Sequence, residues 1–235
     1  MLTISKTSIP AWFNLPKIGC ERCNADHPGS LVTRSGGQGL TSVPCDCMDE
    51  YERQKKIGVL LKDTIFTEKM WRESTKEQCA KFIDNFSDIL SEEVTLSLKS
   101  GESVYFGGNM NTGKTLLSMY IARKFIEAFI PTLLYPVGEV LRRFKNFNSD
   151  THYTFYEQLM ETPVLILDDL GMQMNTDFND STLLDVINGR YMRGKQTIVT
   201  GNKIITIQTQ SELTNLLDRI FSKIERNYKT VYFTK

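Results

Sequence analysis

After residue 100 the chain alternates short apolar runs with longer stretches of helical period. Ser103-Val104-Tyr105-Phe106, Val164-Leu165-Ile166-Leu167 and Gln196-Thr197-Ile198-Val199-Thr200 are apolar or β-branched at nearly every position. Such runs predict strands buried on both faces. Thr132-Leu133-Leu134-Tyr135-Pro136 predicts a further strand, and Thr230-Val231-Tyr232-Phe233 a last short one. Between them, Leu116, Met119, Ile121, Ala122, Phe125, Ile126 and Phe129 recur at helical spacing over residues 115–130. Helices are also predicted over 138–147, over 180–193 (Leu183, Leu184, Val186, Ile187 and Tyr191) and over 211–225. Strands alternating with helices predict an α/β fold: a parallel sheet with right-handed crossovers and helices on both faces. Upstream, residues 71–90 read as one helix with Cys79, Phe82, Ile83 and Phe86 on one side, and 91–100 lead into the first core strand. Cys79, alone among apolar neighbours, is expected to be a buried structural thiol.

Residues 1–60 have a different character and read as a separate small domain, leaving 61–235 for the α/β domain. Four of the five cysteines fall there, as Cys20-Glu21-Arg22-Cys23 and Cys45-Asp46-Cys47. The Gly/Ser/Pro-rich segment between the pairs cannot bury much apolar surface. A tetrahedral Zn²⁺ held by Cys20, Cys23, Cys45 and Cys47 would supply the missing stability. Reduced, unliganded cysteines are the plainer alternative, and His27 could replace one thiolate. Residues 48–62 follow as a helix bearing Asp49, Glu50, Glu52, Arg53, Lys55 and Lys56; a solvated face is the ordinary reading, a partner-binding arm the sharper one.

Composition excludes some classes. The 235 residues carry a formal net charge of zero, so a nucleic-acid surface would have to be local. Arg142, Arg143 and Lys145 form one small basic cluster, either a solvated face or a phosphate contact. No apolar run reaches the ~18 residues of a membrane span, and the first ten residues lack a signal-peptide layout. A cytoplasmic protein with reduced thiols and no membrane association is expected.

The strongest motif runs from Gly108 through Asn109, Met110, Asn111 and Thr112 to Gly113-Lys114-Thr115 and reads G-x-x-x-x-G-K-T. A buried strand precedes it and a helix follows, the context a phosphate-binding loop requires. Glycines let backbone N–H groups wrap a phosphate, and the helix N-terminus adds free N–H groups and a favourable dipole. Lys114 places a cation against the outer phosphates, and the Thr115 hydroxyl can ligate Mg²⁺. Residues 108–116, closing with Leu116, are thus the candidate ATP-binding segment.

Val164-Leu165-Ile166-Leu167 ends in Asp168-Asp169, at the strand end where open α/β sheets bind ligands. Asp168 suits the Mg²⁺ shell, and Asp169 the general base or water-orienting acid. The run 196–200 similarly ends at Gly201-Asn202, a polar side chain beside the same edge.

Together with Leu165-Ile166-Leu167-Asp168-Asp169-Leu170-Gly171, two further segments carry a resemblance. They are Val186-Ile187-Asn188-Gly189-Arg190-Tyr191 shortly before Thr197-Ile198-Val199-Thr200-Gly201-Asn202, and Leu217-Asp218-Arg219-Ile220. With the phosphate loop these resemble the bacterial and phage helicase-loader ATPases of the DnaC/DnaI type. That is a branch of the AAA+ superfamily shared with the IstB transposition helpers. The N-terminal cysteine pairs resemble the zinc-bearing, particularly phage-encoded, loaders. The resemblance implies an ATPase that binds a replicative DnaB-family ring helicase through its zinc domain and places it on single-stranded DNA in replication initiation. It also implies a homo-oligomer when bound to ATP or its partner. By position, Asn202 would be the sensor of the γ-phosphate or its water. Arg219 would be a finger reaching a neighbouring subunit's nucleotide, and Arg190 a weaker candidate for that contact. The sequence departs from relatives at Asn215, where an arginine is frequent, and neither a Gly-x-Ser-x-Arg end nor a C-terminal lid domain is expected. ATP turnover is therefore expected to be weak or partner-dependent. The competing readings are an IstB-like transposition helper, against which the cysteine segment argues, and a small-molecule kinase, against which Asp168-Asp169, Asn202 and Arg219 argue.

Overall fold

The computed structural model describes residues 9–13, 31–36, 39–44, 47–62, 64–146, 149–171, 177–203 and 216–233. The chain divides into two compact units, Met1–Asp63 and Thr64–Lys235. In the first unit, β1 (Leu31–Gly36) and β2 (Gly39–Pro44) form an antiparallel hairpin with Leu31 opposite Pro44 and Gly36 opposite Gly39. The segment between the cysteine pairs is thus partly strand, although it reads as loop from its Gly/Ser content. β-branched Val32, Thr33, Thr41 and Val43 supply the strand preference, and the ladder ends at the Gly36–Gly39 pair. Helix α1 (Cys47–Leu61) begins at Cys47; Cys20, Cys23 and Cys45 lie outside the described residues.

The second unit is built on a five-stranded sheet of β3 (Val104–Gly108), β4 (Thr132–Pro136), β5 (Val164–Leu170), β6 (Gln196–Gly201) and β7 (Lys229–Phe233). The spatial order is β4-β5-β6-β3-β7, and every neighbouring pair is parallel. These are the five strands expected from the apolar runs. The phosphate-loop strand β3 lies between β6 and β7, and the two-acid strand β5 lies one position beyond β6. The ends of β3, β5 and β6 therefore converge on one edge of the sheet.

Both faces are covered, which is why the strands read as continuous apolar runs. One face bears α6 (Lys114–Glu127), whose Leu117, Ile121, Ala122 and Ile126 are buried over the sheet. The other bears α7 (Val137–Asn146), α8 (Ser149–Glu161), α9 (Asp177–Met192) and α10 (Leu216–Asn227). There Tyr105, Leu133, Tyr135, Leu165, Leu167 and Val199 join Val140, Phe144, Phe155, Leu159, Val186, Ile187, Ile220 and Ile224 in one core. Alternate residues of β5 thus serve opposite layers: Leu165 and Leu167 the α7–α10 core, Ile166 and Asp168 the α6 side.

Two stretches differ from the sequence reading. Residues 71–90 are not one helix but parts of α2 (Glu68–Glu73), α3 (Lys76–Phe82) and α4 (Phe86–Ile89). Thr75 interrupts the run because its hydroxyl accepts from the Gln78 N–H at 3.2 Å and so caps a new helix. Asn85, at φ +55°, interrupts it again. Residues 91–100 do not simply lead to the sheet but form α5 (Glu92–Ser100), with Ser91 accepting from the Val94 N–H and Gly101 closing the end. Helix α8 lies in a stretch the apolar spacing left unassigned. Cys79 is fully buried, as expected, and burial raises its thiol pKa to about 11.

Candidate functional site

The loop between β3 and α6 is shaped by backbone that ordinary residues resist. Gly108 has φ +149° and Gly113 φ +91°. A Cβ on Gly108 would fall 2.7 Å from Phe233 Cβ, and one on Gly113 2.6 Å from Ile83 Cγ1. The glycines are therefore required by close packing against β7 and the end of α3 as well as by the turn itself.

Lys114 opens α6 and is buried. Its Nζ donates to the carbonyls of Gly108 (2.9 Å) and Asn109 (2.5 Å) and to Thr112 Oγ1 (3.3 Å). Burial lowers the ammonium pKa, while Asp169 and Asp168 pull it back up. The charge is thus held inside the loop, where its hydration shell is largely stripped.

Asp168 ends the apolar run of β5 pointing toward α6. Its Oδ2 accepts from Thr115 Oγ1 at 2.8 Å, and its Oδ1 from Thr200 Oγ1 at 2.7 Å. Ser118 Oγ lies 3.0 Å from Oδ1 and 3.1 Å from the Lys114 carbonyl, so its single proton is shared between them. Thr115 and Asp168 offer hard oxygens side by side, the donor type that suits Mg²⁺.

Asp169 would point to the opposite face in a regular strand. It does not, because the β5–β6 register shifts between Leu167 and Leu170 and Asp169 adopts φ +68°. A bulge of this kind re-aims a side chain beside a site. The Asp169 carboxyl thereby joins the cavity mouth, and Asn202 Nδ2 lies 3.5 Å from its Oδ1. Burial and the neighbouring Asp168 push the Asp169 pKa up, with Lys114 opposing.

A cavity of about 760 Å³ is lined by residues 110–116 together with Glu73, Gln78, Phe82, Met119, Asp169 and Asn202. The structure thus gathers Lys114, Thr115, Asp169 and Asn202 around one space, with Asp168 behind Thr115. Sequence reasoning missed Ser118 and Thr200, whose signal was a hydroxyl on an otherwise buried face. It also missed Gln78, Phe82 and Met119, which carry no motif and reach the cavity only through the fold.

The two arginines part company. Arg190 is fully buried, and its guanidinium donates to backbone carbonyls of Leu159, Met160 (3.5 Å), Thr162 (2.9 Å), Pro163 (3.3 Å) and Gln196 (2.5 Å). Its Nε donates to Thr197 Oγ1 at 3.0 Å. Burial lowers its pKa only to about 10, so it remains a cation at neutral pH. Arg190 ties the end of α8 to the starts of β5 and β6, and the expectation that it reaches a neighbour's nucleotide is corrected: its donors are spent inside the fold. Arg219 stands exposed on α10 and is not among the residues lining the cavity. The adjacent Asp218 pairs with Lys203 at 3.2 Å instead. In the basic cluster, Arg142 and Arg143 pair with Glu139 at 2.6 and 2.8 Å, and Arg143 also stacks over Tyr135. Both arginines share that one carboxylate in pairs within a single helix, which suits the solvated-face reading.

A glycine-rich loop between a buried strand and a helix, with a lysine inside it and a threonine–aspartate pair at its foot, defines a P-loop nucleotide-binding protein. Residues 88–226 match the family model described as IstB-like ATP binding protein, and the chain belongs to that family. The replicative helicase loader DnaI of Bacillus subtilis (strain 168) is 27% identical over 196 residues, 77% of this chain and 61% of the relative. The chain thus spans under two thirds of the length of that curated relative. Among solved structures, the DnaC helicase loader superposes with TM-score 0.54 at 20% identity, covering 72% of this chain and all of that one. AMPPCP-bound DnaA from Aquifex aeolicus gives TM-score 0.57 at 18% identity over 69% of this chain and 50% of that one. The shared fold is the AAA+ type. Among the described residues no helix is long and apolar enough to cross a membrane.

Proposed function

We propose that this chain is an ATP-hydrolysing helicase loader, a cytoplasmic protein that binds a DnaB-family replicative ring helicase and helps place it on single-stranded DNA. The observation that carries the reading is the convergence of Lys114, Thr115, Asp168, Asp169 and Asn202 at one edge of the sheet. Similarity to a protein named a replicative helicase loader supports the biological half. Lys114 neutralises the outer phosphates of ATP, and the loop N–H groups of residues 109–116 wrap them. Thr115 and Asp168 would hold Mg²⁺, which supplies neutralisation of phosphate charge. Asp169 accepts the proton of the attacking water, and Asn202 orients it. Arg219 belongs to the trans contact of a homo-oligomer. An IstB-like helper of DNA transposition is the alternative, and it shares the site while differing in partner.

The test combines the purified chain, a purified DnaB-family helicase and circular single-stranded DNA. Helicase deposition on the circle should require the chain and ATP. Asp169→Asn should bind an ATP analogue normally yet turn ATP over about 10²-fold more slowly or worse, since an amide cannot accept the proton. Deposition that proceeds equally without the chain would sink the loader reading. An Asp169→Asn protein with parental turnover would remove Asp169 from its role.

The same reading assigns Zn²⁺ to Cys20, Cys23, Cys45 and Cys47, making the first unit the helicase-binding one. Structural zinc contributes ~10–16 kcal/mol to small domains. Protein purified without chelator should carry one zinc per chain, and stripping it should melt the first unit while ATP binding by the second persists. Zinc absent by elemental analysis would end the assignment.

A further inference from the structure

Thr200 is nearly completely buried on β6, two residues before Asn202, and its hydroxyl joins both acids of β5. Its Oγ1 donates to Asp168 Oδ1 at 2.7 Å and accepts from the backbone N–H of Asp169 at 2.9 Å. Both bonds fall where the β5–β6 ladder slips. In a regular parallel pair the Asp169 N–H would meet a backbone carbonyl, but the shift between Leu167 and Leu170 takes that partner away. A hydroxyl is a donor and an acceptor at once, so one side chain replaces the missing ladder bond and braces the neighbouring carboxylate. The left-handed backbone at Asp169, φ +68°, costs a non-glycine residue about 1 kcal/mol or more and persists only where its surroundings hold it.

We propose that Thr200 is a positioning residue of the nucleotide site, holding Asp169 in its re-aimed conformation through the Asp169 N–H and fixing the Asp168 carboxylate against Thr115. The proposal rests on the hydrolytic reading of Asp169. Thr200 is not among the residues lining the cavity and acts through the two acids. Valine has nearly the same shape but neither donates nor accepts. Thr200→Val would leave the Asp169 N–H without its partner and Asp168 with one hydroxyl fewer, and the bulge would be free to relax. Serine keeps the hydroxyl.

The experiment compares parent, Thr200→Val, Thr200→Ser and each change in an Asp169→Asn background. ATP-analogue affinity at saturating Mg²⁺, single-turnover hydrolysis and thermal midpoint are read on the full chain. Thr200→Val should hydrolyse about 10²-fold more slowly, the scale of a catalytic group displaced by about 1 Å, while affinity changes far less. Thr200→Ser should recover most of the rate. In the Asp169→Asn background Thr200→Val should add little further loss. Parental hydrolysis by Thr200→Val would overturn the proposal. So would a serine variant as slow as the valine one, or rate losses in both that merely follow their thermal midpoints. Should Thr200→Val fail to fold, Thr200→Ser alone decides, because a slow but stable serine variant refutes the hydroxyl's role. A parent that binds ATP but never turns it over, with or without helicase and DNA, would instead refute the hydrolytic reading and the positioning role with it.

Discussion

Lys114→Ala should lose nucleotide affinity by ~2–5 kcal/mol, roughly 30- to 5000-fold, the cost of truncating one partner of a buried charge pair. The geometry makes the loss steep. The Lys114 ammonium is already inside the loop, 2.9 and 2.5 Å from the Gly108 and Asn109 carbonyls. Phosphates would therefore meet a cation that needs little further desolvation, and alanine would leave them facing backbone dipoles alone. Lys114→Arg should not restore binding in full. A guanidinium is planar and larger, and the space between two carbonyls and Thr112 Oγ1 fits a compact ammonium. Equilibrium binding of a fluorescent ATP analogue measures the effect, with thermal midpoints to show that the variants fold. Parental affinity in Lys114→Ala would remove the loop from the site.

The centre of the sheet was legible because β3, β5 and β6 are buried on both faces, and a continuous apolar run needs no tertiary information to be recognised. The parallel order was legible because strands and helices alternate. Helical continuity from Trp71 to Leu90 was misleading, since the apolar positions persist while Thr75 and Asn85 each break the backbone. Capping chemistry overrode periodicity there, and the same chemistry at Ser91 and Gly101 marks a helix that periodicity passed over.

Site residues were legible where one motif carries them and illegible where the fold brings them together. Lys114 and Thr115 follow from spacing along the chain. That Asp168 and Asp169 both serve one edge does not follow, because adjacent strand residues point to opposite faces. The bulge between Leu167 and Leu170 resolves it, and its hydroxyl partner Thr200 lies 31 residues beyond Asp169. Arg190 misled for a related reason: a buried arginine bonded to five backbone carbonyls looks, in sequence, like any other arginine on a helix.

Arg219→Ala should lower ATP hydrolysis by about 10³-fold or more in the assembled state and leave ATP binding by the monomer unchanged. An arginine supplied in trans acts on charge that develops during phosphoryl transfer, and such residues are worth about 10³–10⁵ in rate. Two observations prepare Arg219 for this. Its side chain is exposed on α10, and the acid beside it, Asp218, is engaged by Lys203 at 3.2 Å. The Arg219 guanidinium is therefore not neutralised by its sequence neighbour. Because Asp169 and Arg219 would act from opposite sides of one interface, two inactive proteins can complement each other. Mixing Arg219→Ala with Asp169→Asn creates some interfaces that join an intact acid to an intact arginine, and those should hydrolyse ATP. Turnover measured against total protein concentration, alone and with single-stranded DNA and helicase, reads both effects. A surface arginine with no trans role would behave otherwise. Its loss would cost only ~0–1 kcal/mol of stability. The variant would then match the parent at every concentration, mixing would restore nothing, and assembly-dependent hydrolysis through Arg219 would be refuted.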